Sequence, residues 1–205
     1  EENYVTPVQW SKFKVSFNDL FEKRALPTAA IACLIAFSYA SILSFLSLYA
    51  EERNLLTVAS YFYAVFAVAM IAVRPFTGRI YDTFGAKYVI IPSFFLFSIG
   101  LVILANAQQA LPFLLSAIFI GIGYGTLTTS FQSLCVQATS PMRSGYATAT
   151  YFTLFDIGIA VGSYVFGVVA VAAGYKTVYM SSAALVFLVL VIYMMTHRKL
   201  QNQSE

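Results

Sequence analysis

Six long apolar runs divide this chain, at roughly Pro27–Ala50, Val58–Phe76, Tyr88–Ala105, Leu111–Val136, Tyr146–Ala172 and Val178–Thr196. Each is close to the roughly 20 residues that a helix needs to cross a bilayer. None shows the period-two alternation of a strand, and a helix satisfies its own backbone hydrogen bonds in lipid. The pattern therefore predicts six spanning helices. The links between them are short: Glu51–Asn54, the polar stretch 74–87, Asn106–Gln109, Gln137–Gly145 and Gly174–Lys176. Hinges this short force neighbouring helices to run antiparallel.

Composition supports the same class. The 205 residues are 60% hydrophobic and 10% charged, with mean hydropathy +0.77. A soluble domain carries about 25% charged residues, so this chain has no surface to offer water. Cys33 and Cys135 lie inside apolar runs and behave as small hydrophobes, not as a disulfide framework. The net charge of +3 is too small, and the basic residues too scattered, for nucleic-acid binding. The start at Glu1-Glu-Asn-Tyr4, with no Met and no compact apolar leader, is what a piece of a longer protein would show.

Basic residues set the expected orientation. With the N-terminus cytoplasmic, ten of the 12 Lys and Arg fall inside, and only Arg53 and Lys176 fall outside. The positive-inside rule then makes both termini cytoplasmic, as expected for the plasma (cell inner) membrane. Residues 1–25 read as a cytoplasmic linker, 26–197 as the six-helix bundle and 198–205 as a cytoplasmic tail. Within the linker, Trp10, Phe13, Phe17, Leu20 and Phe21 recur at helical steps between charged residues. Ser16 and Asp19 form a capping-box pair, so residues 8–22 predict an interfacial amphipathic helix or, failing that, an aromatic-rich linker.

Polar side chains are distributed unevenly. Runs three and six carry almost none beyond Ser, whereas runs one, two, four and five carry Ser, Thr, Tyr, Gln and one Asp. Intramembrane polar groups face a bundle interior or a wet cavity. Runs one, two, four and five are thus expected to line a pathway, with three and six toward lipid. Ser38, Tyr39, Phe45, Tyr63, Phe131, Gln132 and Thr153 are the candidates to meet a substrate; packing against lipid or neighbouring helices is the alternative for the aromatics. Asp156 lies about 15 Å into run five, near mid-bilayer. A carboxylate there costs at least about 2.5 kcal/mol to insert, which suits a proton-coupling group. The alternative is an acid bonded to Thr153 or a neighbouring helix for packing.

The stretch 74–87 gathers Arg74, Gly78, Arg79, Asp82, Gly85 and Lys87 between runs two and three. It reads as a tight charged turn, with Gly85 free to take positive φ and Asp82 placed to cap a helix or pair with Arg74 or Arg79. Such a cluster can act as a gate, or it can be merely topogenic. Gly121/Gly125 and Gly158/Gly162 are small-xxx-small pairs for close helix crossing. Enzyme chemistry lacks its parts. His197 is the sole His and lies in the tail, there is no HExxH metal site, and no second intramembrane Asp completes a dyad.

Gly78-Arg-Ile-Tyr-Asp82-Thr-Phe-Gly85-Ala-Lys87 resembles the signature loop of the major facilitator superfamily, G-x-x-x-D-R-x-G-R-[RK], which joins the second and third spans of each six-helix half. Thr83 and Ala86 replace basic residues of that motif, as the second, degenerate copy does. Arg74-Pro75, Pro141-Met-Arg143-Ser-Gly145 and Phe155-Asp-Ile-Gly158 through Gly167 are similar to the C-terminal half of bacterial drug/proton antiporters. The resemblance implies an all-α integral membrane fold, with six transmembrane helices forming one half of a major-facilitator transporter. It implies an N-terminal six-helix half as partner, small lipophilic substrates and protons as cargo, membrane lipid around it, and no cofactor or metal. A sugar or metabolite exporter of the same fold, or a stand-alone six-span dimerising channel or scaffold, is the alternative.

Overall fold

The computed structural model describes residues 22–201, and the expected interfacial helix lies outside them apart from Glu22. The described chain is helical throughout: α1 Leu26–Glu52, α2 Leu56–Phe84, α3 Ala86–Asn106, α4 Ala110–Gln137, a 3-10 turn at Pro141–Arg143, and α5 Ser144–Gln201. All five α-helices are long and apolar enough to cross a membrane.

Five helices stand where six spans were expected, and the difference lies at Gly174. There the backbone leaves the helical region, with φ 79 and ψ 165, inside the 58-residue α5. A straight helix of that length would measure about 87 Å, far beyond a bilayer core. Contacts with α1 show what the break does. Ascending the first arm (144–173), Gly158 meets Cys33, Gly162 meets Phe37 and Gly167 meets Phe45. Beyond Gly174, Tyr179 packs on Tyr49, and Ser182 Oγ–H donates to the Ser38 carbonyl at 3.0 Å. The second arm (175–201) therefore returns along α1 in the opposite direction. The expected hinge over Gly174–Lys176 shrinks to one residue, because glycine alone enters this backbone region freely. Gly174→Ala should cost about 1–3 kcal/mol in backbone strain. Denaturant titration in detergent would read this, and an unchanged midpoint would show that the break tolerates a side chain.

α1 lies between the two arms, and its packing face is built from Ala25, Ala29, Ala32, Ala36 and Ala40, none more than 1% exposed. Small residues let backbones approach closely in a membrane bundle, where van der Waals packing replaces the hydrophobic drive. The glycine pairs do the same elsewhere, as their spacing predicts. A Cβ on Gly121 would lie 2.6 Å from the Phe66 carbonyl oxygen of α2, and one on Gly123 would lie 2.5 Å from the Phe97 nitrogen of α3. Gly121 and Gly125 seat α4 on α2; Gly158 and Gly162 seat the first arm of α5 on α1. Phe62, Phe94, Phe97, Phe113 and Phe131 fill the interior between these crossings.

α2 is the least covered helix, with only Ala59, Phe62 and Phe66 buried. The first arm of α5 also leaves a continuous stripe open: Phe152, Asp156, Ala160, Tyr164, Val168 and Val171 recur at three- and four-residue steps. The ends of the bundle differ in charge. Lys23, Arg24, Arg74, Arg79, Lys87 and Arg143 gather at one end, and Arg53 and Lys176 at the other. The first is called the basic end below.

Candidate functional site

The charged stretch 74–87 is not the turn that its polarity suggests. α2 continues through Pro75 to Phe84, so Arg74, Gly78, Arg79 and Asp82 ride on helix, and only Gly85, at φ 93, breaks it. Hydroxyls support this last part of α2. Thr77 donates to the Val73 carbonyl at 3.1 Å, and Thr83 to the Arg79 carbonyl at 2.8 Å. The Gly85 N–H closes the end on the Tyr81 carbonyl at 3.0 Å. Charged residues are acceptable here because at the rim of a bundle a helix can continue while its side chains reach water. Asp82 neither caps α3 nor pairs with Arg74 or Arg79: the cap of α3 is Gly85, without a side-chain bond. Among the described residues the ion pair is elsewhere, between Glu22 and Arg143. Lys87 sits over the Tyr88 ring, 5.2 Å from its centroid.

Arg74, Gly78 and Asp82 come together along one wall of a cleft between α2 and α4, with a volume of about 340 Å³. Thr77 and Tyr81 complete that wall, and Thr129, Ser130, Ser133 and Gln137 form the other. Arg79, Gly85 and Lys87 lie outside it. Two predicted gate residues, Arg74 and Asp82, thus face the same space without touching.

The substrate candidates divide by burial. Ser38 is 0% exposed and Phe131 1%, so neither lines an open surface. Ser38 serves the seam of α1 with the second arm of α5, where its carbonyl also accepts the Ser41 hydroxyl at 2.7 Å. Phe131 packs edge-on against Phe94 and Tyr193. The polar residues of their helices are not gathered into one stripe, so the sequence does not mark which side is covered. Tyr39, Phe45, Tyr63 and Gln132 are half-buried. Tyr39 stacks on Tyr124 at 4.0 Å between ring centroids, with the planes 15° apart, and Phe66 lies behind at 6.0 Å. Tyr63 O–H donates to the Ile42 carbonyl at 3.4 Å, and Phe45 lies 6.2 Å from Tyr175. Thr153 and Asp156 are exposed together on the open stripe of α5. Asp156 forms no hydrogen bond or ion pair among the described residues, so the packing role through Thr153 has no contact to support it.

One cluster joins residues 121 positions apart, which no local sequence pattern marks. Arg143 Nε donates to Glu22 Oε2 at 2.6 Å, and the Glu22 N–H donates to Thr150 Oγ1 at 2.9 Å. The Arg143 guanidinium also lies over the Tyr146 ring at 5.2 Å. Glu22 precedes α1, and Arg143 lies in the short turn between α4 and α5. Burial raises the Glu22 carboxyl pKa. The Arg143 hydrogen bond, the Arg24 N–H, the Arg143 charge and the Thr139 hydroxyl together outweigh burial and hold it below its usual 4.5. The partners are far apart in sequence, and only their opposite charge could have suggested the pair.

The fold and these features define a multi-pass helical membrane protein with polar groups gathered at one end and along one open face. Residues 8–204 match the model of the Major Facilitator Superfamily, and the chain belongs to that family. Membership places it among transporters, not enzymes. It is similar to an uncharacterised MFS-type transporter of Methanocaldococcus jannaschii, at 29% identity over 70% of this chain and 37% of that protein. It is also similar to the riboflavin transporter RibZ of Clostridioides difficile, at 27% identity over 74% of this chain and 35% of that protein. In fold it resembles a crystal structure of the peptide transporter POT with alafosfalin, with a TM-score of 0.70 at 20% identity, over 85% of this chain and 38% of that one. The chain therefore spans little more than a third of the length of the relatives it matches.

Proposed function

We propose that this chain is the C-terminal half of a secondary active transporter that works by alternating access in the plasma membrane, with both termini cytoplasmic. Counting the two arms of α5 separately gives six spans. An N-terminal half of six more would close over the open faces of α2 and α5, the two halves being related by an axis along the membrane normal. The cargo is small lipophilic or drug-like compounds, exported against an inward proton flow, and the charged end of α2 acts as part of the gate.

The observation that carries this reading is Asp156. It is an acid in the middle of the first arm of α5, on an exposed and largely apolar stripe, without a hydrogen-bond or ion-pair partner among the described residues. An intramembrane acid with no packing duty is placed to carry a proton. In proteoliposomes of the full-length protein, efflux of a lipophilic dye cation should depend on a pH gradient. Asp156→Asn should lower gradient-driven transport by about tenfold or more, within the range that a positioned proton carrier supplies. Unchanged gradient dependence in the variant removes Asp156 from coupling, and no gradient dependence in the parent defeats antiport.

A second reading, a carrier of a planar metabolite, draws on the Tyr39–Tyr124 stack and on the likeness to a riboflavin transporter. Saturable riboflavin transport in the same liposomes, with no dye efflux, would favour it.

A further inference from the structure

The cleft between α2 and α4 is bounded at both ends. Toward mid-membrane the helices are pinned, because Gly121 abuts the Phe66 backbone and Gly125 abuts Met70. At the basic end Tyr81 O–H donates to Gln137 Oε1 at 3.5 Å and bridges the same two helices. Between pin and bridge the helices part and leave the slot of about 340 Å³. Gly78 forms part of its wall, and a Cβ there would meet no atom within 4 Å.

The donors in this slot are not equivalent. The Thr77 and Thr129 hydroxyls are spent on carbonyls of their own helices. The Ser130 and Ser133 hydroxyls and the Arg74 guanidinium have no protein acceptor among the described residues. Ser130 is only 6% exposed and lines the slot. A guanidinium and free hydroxyls lining one cleft suit one chemistry: a fork of N–H donors matches a carboxylate or phosphate, and short O–H groups complete its shell. Asp82 opposes an anion, but it lies about 12 Å along α2 from Arg74, at the bridged end. Its charge confines the anion to the Arg74 side.

We propose that the α2/α4 slot binds an oxyanion, a carboxylate or a phosphate, with Arg74 as its charge partner and Ser130 and Ser133 as hydrogen-bond donors. The group can arrive on a free anion from the aqueous phase or on the headgroup of an anionic lipid entering from the side.

Thermal unfolding of the purified full-length protein in neutral detergent tests this without reference to transport. The probes are succinate, inorganic phosphate and phosphatidylglycerol, against chloride at equal ionic strength and phosphatidylcholine. A ligand that binds only the folded state raises the midpoint, here by about 3 °C or more at saturation. Arg74→Gln should weaken the response at least about tenfold, the scale of one charge-assisted contact. Gly78→Val projects a branched side chain into the slot from a position where a Cβ meets no atom within 4 Å, so it should weaken the response at least about tenfold while leaving the ligand-free midpoint in place. Asp82→Asn should strengthen it. A response to succinate or phosphate identifies an aqueous anion, and a response to phosphatidylglycerol alone identifies a lipid headgroup. The proposal is overturned if none of the three probes shifts the parent protein beyond its control, or if both Arg74→Gln and Gly78→Val respond as the parent does.

Discussion

Gly158→Leu will keep α1 and the first arm of α5 from docking, and the protein will fail to accumulate in the membrane. The Gly158 backbone lies directly on the Cys33 carbonyl, with Ala36 Cβ 3.2 Å from where a side chain would begin. One turn on, a Cβ at Gly162 would lie 2.6 Å from the Phe37 carbonyl oxygen. The neighbours are backbone, which cannot swing aside as a flexible side chain would. Moving α1 outward would also tear it from the second arm, where Ser41 and Ser182 bond the Ser38 carbonyl. Overpacking of a core costs about 1–3 kcal/mol, and more where backbone must shift. A native protein has only about 5–15 kcal/mol in hand. Fluorescence-detected size-exclusion of the tagged protein gives the readout. A monodisperse Gly158→Leu peak at parental yield would mean that the α1–α5 contact is looser than described. Gly78→Leu is the matched control, since a Cβ there meets nothing.

The second large effect belongs to the Glu22–Arg143 pair. Arg143→Glu leaves two carboxylates facing each other where a 2.6 Å charge-assisted bond had been. It should release the chain before α1 from the α4–α5 turn. Hydrogen exchange at residues 139–150 should rise at least about tenfold, as expected when a local anchor opens. The double variant Glu22→Arg with Arg143→Glu restores opposite charges and should recover most of the protection. A mere packing role for Arg143 predicts no recovery. The pair also responds to acid. Because the folded Glu22 carboxyl sits below its usual 4.5, its contribution is complete above that value. It is lost as pH falls through the lower folded value, when the carboxyl takes up a proton. Protection at 139–150 should therefore be flat at neutral pH and collapse only in acid, and in Glu22→Gln it should show no such step.

Features set by near neighbours in the chain were legible in the sequence. The apolar runs fall within the helices, though the run ending at Phe76 stops eight residues short of the end of α2 and two runs share α5. Gly121/Gly125 and Gly158/Gly162 mark close crossings because four-residue spacing puts both members on one face. The charged end of α2 is not legible in this way, because polarity inside an apolar chain suggests a loop where the helix in fact continues to Phe84. Only Gly85 needs to leave the helix, and the residues before it form helix readily once their side chains reach water. Gly174 was ambiguous for a related reason, since a three-residue hinge and a one-residue break look alike in letters. The burial of Ser38 and Phe131 is not legible, because a helix whose polar residues form no single stripe does not say which side is covered. Arg143 and Glu22 depend on a contact between distant parts of the chain, which no local pattern encodes.

The continuation of α2 past Pro75 has a mechanical consequence. Its nearest firm contact with α4 is at Met70, against Gly125. Beyond that point the helix is a rod about 18 Å long as far as Asp82. Its far end is tied to α4 by a single long hydrogen bond, Tyr81 O–H to Gln137 Oε1 at 3.5 Å, and once that bond parts the rod is a lever. A tilt of about 10° at the pivot would carry Asp82 through about 3 Å, the length of a hydrogen bond. A flexible loop with the same charges would absorb such a tilt within itself. By keeping its charges on a stiff extension, the protein can convert a small rocking of one helix into the making or breaking of contacts at its rim.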